Sequence, residues 1–312
     1  MPFQTESHYP LISVVMATYN GAAYVEEQLT SILQQTYPSI EIVIVDDASQ
    51  DDTVSIIKKY AADHSSIKLF VNAVNSGYIK AFEKGLQMAS GEFIALSDQD
   101  DIWMPAKIST LYEEIGSHPI VYSDSLLIDE DGNSLNLKLS DRKRLVGFDD
   151  CLCYTIGNSA AGHAMLITKE LAKSCIPFPS ILPHDYWIGF RATCKGPIKY
   201  IPEPLVQYRQ HAANVFGVAR SGTKTKRVRP TGKIKHQMIR DRIKLLQESC
   251  PSNIPQKQVL QNIERSYENF SLSNNLRRVA LFFRYRDKIL AYKNRSEWRK
   301  WLFCLKIFVT IQ

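Results

Sequence analysis

The first 150 residues of this 312-residue chain contain no cysteine, and the six that follow, at positions 151, 153, 175, 194, 250 and 304, form no CxxC pair. A disulfide framework or a zinc site of ordinary spacing is therefore not expected, and the thiols read as reduced, partly buried side chains of a cytosolic protein. No stretch reaches the roughly 18 consecutive apolar residues of a spanning helix. Met1–Pro10 has neither a basic segment nor an apolar one, so a signal peptide is not expected. GxGxxG is missing, which argues against a dinucleotide-binding oxidoreductase. A nucleotidyltransferase would carry a glycine-rich, basic loop after the first strand, and Ala17-Thr18-Tyr19-Asn20-Gly21 is not one. There is no internal repeat. No nucleic-acid recognition motif accompanies the basic residues, so no nucleic-acid partner is expected.

What is present suits a folded protein with a real core. Apolar residues make up 45% of the chain, ample for one large domain and an appendage. The net charge is +6, and from Val218 onward basic residues carry the balance. Apolar, β-branched runs at Leu11–Ala17, Glu41–Val45, Lys68–Val71, Glu92–Leu96 and Ile120–Tyr122 alternate with helical-period segments at Ala22–Gln35, Thr53–Ala62, Tyr78–Ala89 and Pro105–Ile115. Pro38, Gly77 and Gly91 punctuate the joins. This alternation predicts an α/β fold with a mostly parallel sheet flanked by helices. Asp129–Asn133 reads as a hairpin turn, Gly157–Gly162 as a small-residue loop and Lys169–Cys175 as a short helix. Residues 218–235 hold many Arg and Lys and no acid, and read as an exposed linker. Helical patterns follow at His236–Ser249, Lys257–Phe270 and Leu276–Ile311.

In a parallel sheet, ligands bind beyond the carboxyl ends of the strands. Those ends are unusually polar here: Ala17-Thr18-Tyr19-Asn20, Asp46-Asp47-Ala48-Ser49 and Ser97-Asp98-Gln99-Asp100-Asp101. Asp98 and Asp100, two apart where a strand ends, face one way if extended, and hard oxygen ligands of this kind suit Mg²⁺ or Mn²⁺ on a diphosphate. A lone pair of this sort is more often a solvated turn; its place beside two other polar strand ends favours a site. One of Asp46 and Asp47 is expected to meet a nucleoside and the other to cap its turn, with Asp47 the sharper candidate. Asp185, in His184-Asp185-Tyr186-Trp187, reads equally as a general base raised by apolar neighbours or as a helix N-cap. Arg209 and His211 share a face if extended, and are candidates for phosphate and metal.

The runs Ile12–Gly21, Val43–Ser49, Asn75-Ser76-Gly77 and Gly91–Leu96 resemble glycosyltransferase family 2. Ser97–Trp103, His184–Trp187 and Tyr208–His211 resemble its bacterial rhamnosyltransferase-like branch, which acts in O-antigen and exopolysaccharide assembly. The resemblance spans residues 10–217 and implies a GT-A-type, Rossmann-like catalytic domain over 1–217, ahead of the 218–235 linker and a helical extension over 236–312. It implies that Ala17, Tyr19 and Asp47 line a nucleoside pocket, that Asp98 contacts ribose or the metal shell, and that Asp100 ligates the metal. It further implies Asp185 as catalytic base and His211 as a further ligand, with Arg209 helping at the diphosphate. The expected reaction is metal-dependent, inverting transfer from a nucleoside-diphosphate sugar to a glycan or lipid-linked acceptor. The different-class alternative is a non-catalytic, membrane-bound sugar-nucleotide binder or assembly scaffold. The basic, aromatic tail from Leu276 to Ile311 suits an interfacial helix, so the protein is expected in the cytoplasm at the inner face of the membrane.

Overall fold

The structure is a computed structural model that describes residues 9–211 and 232–309. Its N-terminal half alternates as the sequence predicts: β1 (Ile12–Thr18), α1 (Val25–Leu33), β2 (Ile40–Asp46), α2 (Thr53–Asp63), β3 (Ile67–Val71), α3 (Tyr78–Met88) and β4 (Phe93–Ser97). Next come β5 (Ile102–Trp103), α4 (Lys107–Ile115), β6 (Ile120–Ile128), β7 (Ser134–Lys138), β8 (Met165–Thr168), α5 (Lys169–Cys175), α6 (His184–Thr193) and β9 (Lys199–Arg209). Five helices close the chain: α7 (Gly232–Ser249), α8 (Gln256–Ser266), α9 (Leu272–Arg284), α10 (Arg286–Ile289) and α11 (Glu297–Val309).

The sheet runs β3-β2-β1-β4-β8-β6-β9-β5, with β7 paired to β6. Its first four strands are parallel. Beyond β4 the sheet is mixed, because β8 joins both β4 and β6 antiparallel while β9 runs parallel to β6. Parallel pairing places the carboxyl ends of β1, β2 and β4 on one rim, with Thr18 beside Asp46 and Met16 beside Ser97. The hairpin at Asp129–Asn133 and the helix at Lys169–Cys175 form where expected.

Side chains alternate across β1 as the pleat requires. Ile12, Val14 and Met16 pack with Leu29, Ile57 and Leu111 on one face, while Val15 packs with Phe82 on the other. The second face continues without a break into the C-terminal helices, whose Ile243, Leu246, Leu260, Ile263, Phe282 and Cys304 share one apolar cluster with Trp187 and Phe190 of α6. The C-terminal helices thus cover the α/β fold and complete its core. Most of the expected linker, and the boundary at residue 217, lie outside the described residues. Its last positions, from Gly232, are already helical in α7.

Candidate active site

The rim opens into a cavity of about 600 Å³, within the size range of small-molecule sites. Ala17, Tyr19, Asp47, Asp98, Asp100, Asp185 and His211 all line it. Seven of the eight residues expected from the sequence therefore converge, although Asp185 and His211 arrive from elements far along the chain.

Local hydrogen bonding explains how the rim is held. Gln99 clasps the first loop, accepting from the Tyr19 amide at 2.8 Å and donating to the Tyr19 carbonyl at 3.1 Å. Gly21 makes room for that clasp, since a Cβ there would lie 2.4 Å from Gln99 Oε1. Asp46 takes the structural role, accepting from the Ser49 amide at 2.9 Å, the Ser49 hydroxyl at 2.5 Å and Thr18 Oγ1 at 2.8 Å. Asp47 also holds a loop. Its oxygens accept from Asn72 Nδ2 at 2.9 Å, the Ser76 hydroxyl at 3.0 Å and the Gly77 amide at 2.6 Å. Burial alone would raise its pKa, but these donors and the Ser76 amide outweigh it and hold the carboxyl below its usual value. With both oxygens so engaged, Asp47 shapes its side of the cavity through the Asn72–Gly77 loop.

Asp98, Asp100 and Asp101 crowd the far side. Enclosure, followed by the charges of Asp100 and Asp185, pushes the Asp98 carboxyl up to about 7. Asp100 Oδ2 lies 2.8 Å from His211 Nε2, and the His211 ring stacks on Tyr24 with centroids 4.9 Å apart. Asp98, Asp101 and His163 bring one donor atom each within 4.8 Å of one another. His163 was not singled out in the sequence. It is buried, stacked on Tyr208 at 4.2 Å and placed 3.0 Å from Ser125 Oγ by Nε2, leaving Nδ1 towards Asp98. Mutually repelling carboxylates beside two imidazoles form a hard, anionic donor set that fits a divalent cation. Behind them, burial drives Asp101 up and Lys107 down, and their mutual attraction opposes both shifts.

Asp185 stands in the first turn of α6, after Pro183 at the N-cap position, so the N-cap reading is set aside. Burial pushes its carboxyl up to about 6 against the hydrogen bonds from the Tyr186 amide at 2.7 Å and Asn158 Nδ2 at 3.0 Å. Asn158 is itself braced by the Ala160 amide at 2.9 Å, so the Gly157–Gly162 loop orients the carboxylate. Gly162 permits this approach: a Cβ there would meet His184 Nε2 at 2.8 Å and Asp185 Cβ at 3.3 Å.

Arg209 departs from expectation. It is 2% exposed and does not line the cavity. Its Nε donates to the Asp100 carbonyl at 2.8 Å, Nη1 to the Glu130 carbonyl at 3.0 Å, and Nη2 pairs with Glu27. The two-residue periodicity that would align it with His211 stops because β9 ends at Arg209. Arg209 therefore braces the Asp100 backbone from outside the lining of the cavity. Among the described lining residues the Lys or Arg is Lys143, whose loop position offered no periodic signal.

A mixed sheet with a carboxylate-rich cavity at its parallel carboxyl edge is the architecture of an α/β ligand-binding fold. Residues 13–173, just over half the chain, match the family described as Glycosyl transferase family 2. Uncharacterised glycosyltransferases are similar in sequence. One from Haemophilus influenzae is 30% identical over 192 residues, covering 61% of this chain and 74% of its own. One from Rickettsia typhi is 30% identical over 220 residues, covering 68% of each. The chain belongs to glycosyl transferase family 2. In fold it is similar to residues 1–349 of Staphylococcus aureus TarS in complex with UDP-GlcNAc, with a TM-score of 0.60 at 18% identity over 97% of this chain and 82% of that one. A Pyrobaculum calidifontis mannosyltransferase in complex with GDP-Man and Mn²⁺ gives 0.53 at 18% identity, over 98% and 86%.

Proposed function

We propose that this glycosyltransferase carries out metal-dependent, inverting transfer of a sugar, rhamnose on the motif resemblance, from a nucleoside diphosphate to a growing cell-surface glycan. The observation that carries the reading is Asp185, a raised and oriented carboxylate facing the same cavity as the Asp98/Asp100 edge. As carboxylate, Asp185 accepts the proton of the acceptor hydroxyl while that oxygen attacks the anomeric carbon. The nucleoside diphosphate departs from the opposite face, so one displacement inverts the centre. Asp98, Asp100 and His211 would hold Mg²⁺ or Mn²⁺, which supplies charge neutralisation at the diphosphate. Lys143 is the side chain we assign to assist there, in place of Arg209.

For the acceptor we favour a lipid-linked glycan at a membrane surface. α11 buries Cys304 and Lys300 but exposes Trp298, Trp301, Leu302 and Leu305. A second cavity of about 730 Å³ beside it is lined by Arg242, Lys293, Arg295, Arg299 and Lys306. An apolar face next to clustered cations suits an anionic interface. No described helix is long and apolar enough to cross a membrane. The paired substitution Trp301→Glu and Leu305→Glu should abolish co-sedimentation with phosphatidylglycerol vesicles while leaving the fold intact, and unchanged sedimentation would remove this part of the reading.

The deciding experiment is nucleoside-diphosphate release from a panel of rhamnosyl, glucosyl, galactosyl, mannosyl and N-acetylglucosaminyl donors. Turnover should stop with EDTA and return with Mn²⁺ or Mg²⁺. Donor binding with no turnover under any condition would favour the non-catalytic alternative.

A further inference from the structure

A separate feature lies away from the sugar-nucleotide cavity, where α6, the turn at Cys151–Tyr154 and the end of α7 meet. The sulfurs of Cys151, Cys194 and Cys250 all lie within 4.8 Å of one another. All three are free thiols; Cys151 and Cys250 are buried, and Cys194 is half-buried. Tetrahedral thiolate coordination of zinc needs sulfurs about 3.8 Å apart, given metal–sulfur bonds of about 2.3 Å. Small side-chain adjustments bring this triangle to that spacing.

Two cations lie close by, while the nearby Asp150 carboxylate is paired with Lys288. Lys257 Nζ donates to the Gln247 carbonyl and reaches the Glu248 carbonyl at 3.4 Å, at the end of α7 that delivers Cys250. Arg191 Nη1 lies 3.5 Å from the Ser249 carbonyl, and its charge acts on Cys194. Two cations beside three thiols offset the charge of a multiply deprotonated set. Cys194 is the least buried of the three, so water can complete a fourth position there.

We propose that Cys151, Cys194 and Cys250 form a three-thiolate site for a thiophilic ion of the zinc class, which ties the C-terminal helices to the catalytic fold. Binding displaces the thiol protons to solvent and involves no change of oxidation state. Soft sulfur donors set it apart from the hard carboxylate site. The position explains its use: Cys194 follows the helix that carries Asp185, and Cys250 closes the first helix of the extension. The ion therefore staples two elements whose cysteines stand 56 positions apart in the chain (250 − 194).

The test uses the full-length, reduced protein titrated with Co²⁺ and with Zn²⁺. One cobalt per chain should bind with thiolate-to-cobalt charge-transfer absorption, which oxygen ligands do not give. Zn²⁺ should displace it, protect these three thiols from alkylation and raise the melting temperature by several degrees. Cys151→Ser and Cys250→Ser should each weaken cobalt binding by about 100-fold or more, whereas Cys175→Ala should leave the band unchanged. Should the serine variants fail to fold, the wild-type alkylation pattern decides alone. No charge-transfer band in the wild type, three thiols alkylated equally with and without Zn²⁺, or a disulfide between any two of them on peptide mass mapping would each overturn the proposal.

Discussion

At the scale of single residues, the proposed chemistry turns on a carboxylate whose protonation its surroundings control. Asp185 is pushed up to about 6 by burial, despite two hydrogen bonds that favour its charged form. A general base must be ionised, so kcat/KM should fall about tenfold per pH unit below that value and level off above it. Asp185→Asn keeps the shape but loses the proton acceptor, and should lower kcat by about 10²–10⁴-fold with little change in the melting temperature. A pH–rate profile on both proteins checks this, and wild-type-like turnover in the variant would remove Asp185 from the chemistry. Arg209 teaches the converse. A charged residue near a motif read as a ligand contact, yet the end of β9 turned it into a brace for Asp100.

At the scale of elements, buried polar side chains tie the parallel strands together. Glu41 on β2 accepts from Ser13 on β1 at 2.5 Å, from Lys68 on β3 at 2.6 Å and from the Ser90 amide ahead of β4 at 2.6 Å. Burial would raise this carboxyl, but its donors, Lys68 foremost, lower it from 4.5 to about 2. Because the folded pKa is depressed, the stabilisation is complete above the unfolded value and is lost as pH falls through about 2. Glu41→Gln should therefore cost roughly 1–2 kcal/mol at neutral pH. Denaturant melts should show the gap from wild type shrinking by about pH 3; a constant gap would mean packing, and not charge, carries the effect.

At the scale of the whole molecule, the C-terminal helices are part of the core. Ile243, Leu260 and Phe282 are completely buried and cluster with the apolar side chains of α6. A chain ending at residue 231 would leave that face open to water, at roughly 25 cal/mol per Å² of exposed apolar surface. It should be recovered aggregated or melt well below the full chain; a soluble truncation with an unchanged melting temperature would make the extension an independent unit.

The parallel half of the sheet was legible because β1, β2 and β4 are continuous apolar runs ending in polar clusters, and local periodicity alone specifies such elements. Asp98, Asp100, Asp47 and Asp185 were legible for the same reason, since each sits at the end of a strand or the start of a helix. His163, Asn158 and Lys143 come from short turns and loops without a period, so only the folded chain brings them to the cavity. The three cysteines show the limit most plainly. Gaps of 43 residues (194 − 151) and 56 residues (250 − 194) carry no local signal, yet packing of α6 and α7 places their sulfurs side by side. Sequence alone determined the parallel strands and the acidic rim, because short-range pattern encodes them, and its motifs carried the resemblance from which the proposed chemistry follows. Which side chains meet, which carboxylates are raised and what the C-terminal helices cover were decided by long-range packing, where burial and proximity act between residues far apart in the chain.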